Sequence, residues 1–276
     1  MKVLKTINNN IVSCMTDDGQ ELVAMGRGLG YRFRPGALLG EEQAEKIFRM
    51  DSQSQTERLE NLLRSLPSEQ IDLCTRLIAY AAKTLGGTLS KSIYLTLPDH
   101  INFAITRLEQ GVLFTNPLLT EVRIFYAREF LVGCHALEML RQELGVEFPE
   151  DEAASIALHF VNAECDITLN ETMRITQTLH GAMNILSCCP GIVIQPGTLA
   201  YDELTVHLKF LTMQVFSGEP QAQAQPTFVQ SLRDIFPNEF RCAEAMSHYL
   251  ERQSGRPVTQ EQLAFLALNI RHAEAT

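Results

Sequence analysis

The sequence predicts a multidomain protein in which a small antiparallel all-β domain precedes two homologous all-α helical bundles. Three observations carry this. Short runs rich in β-branched and apolar residues fill the first fifty positions. Apolar spacing of three and four residues takes over from Pro67, and one long helical stretch occurs twice. At 276 residues the chain has room for two or three compact domains.

The first domain with its linker is assigned to residues 1–56. "VLKTI", "NIVSCMT" and "QELVAM" read as strands, and Asp17-Asp18-Gly19 between the last two reads as a hairpin turn. The stretch "MGRGLGYRFRPG", residues 25–36, then sets Gly26, Gly28 and Gly30 among Arg27, Arg32 and Arg34. Its "YRFR" alternates rings and cations as a two-faced strand does, and "EEQAEKIF" reads as a short helical turn. A sheet of roughly four strands in so short a segment has a thin core, so dimerisation is expected to supply cover. "DSQSQTE", 51–57, is polar and reads as a linker.

In "SEQIDLCTRLIAYAAKTLG", Ile71, Cys74, Leu77, Ile78, Ala81 and Leu85 fall on one helical face, and Gly86 ends the run. Residues 124–164 line up with 235–274, which divides the helical part into modules at 67–170 and 171–276. The alignment sets His100 against His207, and His159 against Asn269.

Composition narrows the function. The chain is 45% hydrophobic and 20% charged, as in ordinary soluble proteins. It has no apolar run of membrane-spanning length and no signal-peptide core, so a cytoplasmic protein without membrane insertion is expected. Seven scattered cysteines without a CxxC pair are expected to be reduced thiols, neither zinc ligands nor a disulfide framework. A net charge of −10 excludes indiscriminate coating of nucleic acid. Residues 1–36 nevertheless carry +2 and the remainder −12, so any nucleic-acid contact belongs to the N-terminal segment and is small.

The glycine stretch fits neither common nucleotide loop: no GKS/T follows, and G-x-G-x-x-G is incomplete. An arginine exposed between glycines suits a folded RNA, with an aromatic ring for stacking. Without HExxH, CxxC, a nucleophile motif or a carboxylate pair, no catalytic residue, cofactor or metal site is expected. The duplicated histidines leave three uses open: metal ligation, acid–base chemistry, or acceptance of a phosphoryl group from a partner's phosphohistidine. Asp99 either orients the His100 ring or caps its helix. His135, His180, His248 and His272 have no duplicated counterpart and read as structural.

The segments "TINNNIV", "MGRGLGYRFRPG", "LPDHINFAITR", "TNPLL" and "ALHFVNAE" occur in this order. Together they resemble transcription antiterminators of the BglG/SacY/LicT type, along the whole chain. The resemblance implies a co-antiterminator RNA-binding domain followed by two regulation domains of the sugar phosphotransferase system (PTS). It implies a homodimer that holds a hairpin in nascent mRNA, prevents the overlapping terminator from forming and responds to sugar. Phosphoryl donors would be the PTS sugar permease (EII) and HPr. Carried over, Lys5, Asn8, Asn10, Gly26, Arg27, Gly28, Tyr31 and Arg32 contact RNA, while His100, His159 and His207 accept phosphate. The chain departs from the pattern at Asn269, which cannot take a phosphoryl group, so dependence on HPr is expected to be weak. His272, one turn on, is not expected to replace it. The competing class is a DNA-binding activator with the same helical modules. Such proteins usually place a helix-turn-helix where this chain has strand signals, and a gel shift of RNA hairpin against duplex DNA separates the two.

Overall fold

The computed structural model describes residues 1–49, 52–112, 114–218 and 226–274. Strands β1 (Lys2–Asn8), β2 (Ile11–Met15), β3 (Glu21–Met25) and β4 (Lys46–Phe48) form one antiparallel sheet in sequential order. The β2–β3 hairpin turns where Asp-Asp-Gly stands, with Gly19 at φ +83°.

Two local expectations fail. "YRFR" is no strand: Leu29–Arg32 form a one-turn helix, α1, opened by Gly28 at φ +71°. The left-handed glycine turns the chain back, and the Arg32 N–H bonds the Gly28 carbonyl at 3.0 Å. In "EEQAEKIF", only Glu41–Gln43 make a 3₁₀ turn, and Lys46–Phe48 become β4 by pairing with Val23–Met25. The open edge of β3 overrides weak helical propensity over so few residues.

The linker expectation also changes. Asp51 lies outside the described residues. From Gln53 the segment is helix α2 (Gln53–Ser65), capped by the Ser52 hydroxyl, which accepts from the Gln55 N–H at 3.3 Å. Leu59 and Leu63 of α2, with Leu66 and Ile71, lie on Ile7, Ile11, Val23, Met25 and Phe48. One face of the sheet is therefore covered from within the chain. Leu29 and Leu39 cover Val3, Val12, Cys14 and Leu22 of the other. Each such fully buried aliphatic side chain contributes about 1.5–3 kcal/mol before entropy is counted.

The helical part repeats one order of elements. Helices α3 (Ser68–Leu85), α4 (Ile93–Glu109), α5 (Leu119–Phe125), α6 (Ala127–Leu144) and α7 (Glu150–Cys165) come first. Then follow α8 (Leu169–Cys188), α9 (Leu199–Ser217), α10 (Pro226–Ile235), α11 (Pro237–Ser254) and α12 (Gln260–Glu274). Left-handed glycines end corresponding helices: Gly145 after α6 and Gly255 after α11. The chain forms two compact units. One joins residues 1–119 to 126–169; the other joins 120–125 to residues from Asn170 onward. The first unit's helical core is built on Leu73, Leu77, Ile101, Val132, Leu140, Ile156 and Phe160. In the second, Leu208, Phe240, Met246, Leu250, Ala264 and Ile270 are buried.

The expectation of seven reduced thiols fails at one pair. Cys189 and Cys242 form a disulfide across a sequence separation of 53, with Cα atoms 5.8 Å apart. The end of α8 and the buried face of α11 are brought together only by the fold, which linear spacing does not reveal. Among the described residues, no helix is long and apolar enough to cross a membrane.

Candidate nucleic-acid interface and histidine sites

The glycine stretch is held by the β1–β2 turn. Asn10 accepts the Gly28 N–H on its side-chain oxygen at 2.9 Å and the Gly26 N–H on its carbonyl at 2.9 Å. The Asn9 carbonyl accepts from Gly30 at 3.0 Å, and a Cβ on Gly30 would overlap the Asn8 carbonyl oxygen. The Asn8 side chain accepts the Asn10 N–H at 2.9 Å, which fixes the turn that holds the loop. Asn8 and Asn10 thus act on the backbone, and the loop presents exposed Arg27, Tyr31 and Arg32 side chains. Tyr31 is 76% exposed, whereas Phe33 packs on the sheet core beside it.

This surface is partly closed by the chain's own acids. Lys5 lies on the face covered by α2, and its amine meets the buried Glu60 carboxylate at 2.5 Å, with Glu21 4.0 Å away. Asn8 donates to the Leu63 carbonyl of α2 at 3.4 Å. Asn8, Asn10, Gly26 and Arg27 line a cleft of about 340 Å³ together with Glu45 and with Glu69 and Asp72 of α3. Carboxylates so placed repel a phosphate backbone.

His100 on α4 and His159 on α7 stack with ring centroids 4.7 Å apart. Burial, with Arg107 nearby, pushes His100 down to about 4 despite the opposing charge of Asp99. Burial and the His100 ring push His159 down to about 3. Both rings are neutral at neutral pH, the state a phosphoryl acceptor needs. Their nitrogens are nevertheless enclosed: His100 Nε2 and His159 Nδ1 are buried without a hydrogen-bond partner. Asp99 stands in mid-helix, exposed, so of its two expected uses helix capping drops out.

Beside this pair lies an ion pair that the motifs did not single out. Arg107 of α4 bonds Glu152 of α7, and the other Glu152 oxygen sits 3.3 Å from His100 Nε2, outside hydrogen-bond geometry. Both partners are largely buried, and the guanidinium also stacks on the Phe114 ring at 4.1 Å. A periodicity signal existed. Arg107 follows His100 by seven residues and Glu152 precedes His159 by seven, which is two helical turns on one face.

In the second unit, His207 of α9 is exposed and lines a cleft of about 270 Å³ with Phe210, Gln214, Glu261, Gln262, Phe265 and Asn269. Asn269 bonds back to the Phe265 carbonyl at 2.9 Å. His272 pairs with Glu203 at 3.1 Å and is not among the residues lining that cleft. His135 stacks on Tyr80 and His180 meets Glu121 at 3.0 Å, which accounts for both structurally.

Comparison with known proteins agrees with this layout. The family model described as the CAT RNA binding domain matches residues 1–57, and that of the PRD domain matches 75–163 and 191–273. The chain is 37% identical to the beta-glucoside operon antiterminator of Dickeya chrysanthemi, over 98% of this chain and 95% of that protein. It is 34% identical to the transcription antiterminator LicT of Bacillus subtilis, over 98% of each. A solved structure titled "Crystal structure of GlcT CAT-PRDI" superimposes with a TM-score of 0.54 at 27% identity, covering 59% of this chain and 97% of that one. The chain therefore belongs to the family of transcription antiterminators in which a CAT RNA-binding domain precedes two PRD domains.

Proposed function

We propose that this chain holds an RNA stem-loop as a homodimer and that phosphohistidines in its helical modules switch that grip. The working domains are 1–56 for RNA and 67–170 and 171–276 for regulation. The observation that carries the RNA reading is the Asn10 lock on the glycine loop, which holds the exposed Arg27 and Tyr31 side chains in place. Arg27 and Arg32 meet phosphates or base edges in the shallow groove of A-form RNA, Tyr31 stacks, and Asn10, Gly26 and Gly28 bring the backbone close. Lys5 and Asn8 join the contact once they leave Glu60 and Leu63, so the described conformation is the closed one.

His100, His159 and His207 are the phosphoryl acceptors in this reading, with a PTS sugar permease and HPr as donors. The enclosed His100 and His159 react only in transient openings of the packed helices, which a bound phosphoryl group would then hold apart, whereas His207 is accessible as it stands. The chain carries no reaction of its own; it passes a signal from sugar uptake to the transcript.

The test is a gel shift of the full chain on the leader hairpin upstream of its own gene. Arg27→Ala should lose binding by about 1–3 kcal/mol with an unaltered circular-dichroism spectrum. Glu60→Gln, which frees Lys5, should tighten binding by about three-fold. Unchanged affinity in Arg27→Ala rejects the loop assignment.

A further inference from the structure

The buried ion pair beside His100 has a consequence for how phosphate is read. A phosphoryl group on His100 Nε2 would enter the space that Glu152 Oε2 holds 3.3 Å away. It brings about −1.5 to −2 charges against a buried carboxylate. The only cation bonded to that carboxylate among the described residues is Arg107, already poised over the Phe114 ring. A guanidinium binds a phosphate with two parallel N–H bonds, more strongly than it binds a crowded carboxylate.

We infer that Arg107 is the reader of the His100 phosphoryl group. It leaves Glu152 for the phosphate, and the unpaired Glu152 carboxylate forces the first turns of α7 away from α4. This rests on the reading of His100 as an acceptor. In the transfer, the N–P bond of the donor phosphohistidine breaks and its electron pair returns to the donor imidazole. The His100 Nε2 lone pair makes the new N–P bond, and the His100 Nδ1 proton passes to the donor ring. Glu152 cannot remain where it is, because a buried carboxylate without a partner costs several kcal/mol. Its turn of α7 also binds the 116 segment: Asp151 accepts the Asn116 N–H at 2.7 Å, and Asn116 donates to Ser155 at 3.0 Å. Displacement of Glu152 therefore reaches a segment outside the histidine pair.

A second observation supports the assignment independently. In the repeat, Arg107 corresponds to Gln214, Glu152 to Gln262 and His159 to Asn269, and all three line the His207 cleft. Where the first module has a cation, an anion and a second imidazole, the second has neutral amides at the corresponding positions, with Glu261, the counterpart of Asp151, the acid among the cleft's lining residues. The charge exchange thus belongs to the first helical module alone.

The experiment uses the full chain and phosphoramidate, a small N–P phosphoryl donor. Mass spectrometry locates the phosphate, and hydrogen exchange follows the amides of residues 152–160. In the native chain, phosphate on His100 should speed exchange there by about ten-fold. The double variant Arg107→Gln/Glu152→Gln copies the amide pair of the second module and leaves no orphan charge. It should still take phosphate on His100, with exchange changing by less than about two-fold. Arg107→Lys, which keeps the cation, should retain most of the native response, a rescue that a purely structural role would not produce. A full native-like response in the double variant overturns the proposal. Absence of phosphate on His100 in the native chain, or phosphate there without faster exchange, overturns it too. The first of these also rejects His100 as an acceptor, whereas the second leaves that reading standing.

Discussion

The two helical modules share one order of five helices but differ in the charge at their histidine sites. In the first, His100 and His159 stack in a buried pocket against the Arg107–Glu152 ion pair. In the second, His207 stands exposed in a cleft lined by Gln214, Gln262 and Asn269, with Glu261 as its acid. The fold needs only the apolar positions, which both copies keep: Phe160 and Ile270 are buried alike, as are Leu140 and Leu250. The polar cluster is therefore not required to build the bundle. It is an addition that costs desolvation, and the second copy has amides at the corresponding positions.

The comparison is broken most directly by removing one charge. Arg107→Ala leaves Glu152 buried and unpaired and should destabilise the first unit by about 3–5 kcal/mol. Its counterpart, Gln214→Ala, alters an exposed amide and should stay within about 0.5 kcal/mol. Urea unfolding of the two variants measures both; equal costs would deny the asymmetry. A smaller effect is expected at Gly133, where a Cβ would overlap the Ala153 carbonyl of α7. Gly133→Ala should cost about 1–3 kcal/mol in the same experiment, whereas the second module already carries Ala243 at this position.

The third prediction concerns pH. The histidine pKa values of about 4 and about 3 lie below the usual 6.5, so the unfolded chain binds more protons in the interval between. The stability these rings contribute is complete above pH 6.5 and is lost as the pH falls toward 4 and then 3. His159→Asn, the residue of the second copy, should flatten that slope. Thermal midpoints between pH 4 and pH 7 show whether it does.

Much of this was legible in the chain. Alternation and Asp-Asp-Gly gave β1 to β3, three-and-four spacing gave the helices, and the repeat paired His100 with His207. What escaped was tertiary in origin. "YRFR" became α1 because Gly28 adopts a left-handed turn, and "KIF" became β4 because β3 offered an edge. The polar "SQTE" opened α2 because its apolar stripe begins only at Leu59 and needs the sheet to pack against. At the site, motif spacing singled out the histidines but not the Arg107–Glu152 ion pair, which forms only because α4 and α7 meet. The engagement of Lys5 by Glu60 was likewise hidden, since its partners are 55 residues apart. The Cys189–Cys242 bond belongs with these.

The account claims above all that added negative charge at the enclosed His100 weakens the grip on RNA far more than the same charge at the exposed His207. The measurement is read-through of a terminator reporter in cells carrying His100→Asp or His207→Asp. His100→Asp should lower read-through by about ten-fold and His207→Asp should change it by less than about two-fold. A large loss from His207→Asp with normal read-through from His100→Asp would contradict the account.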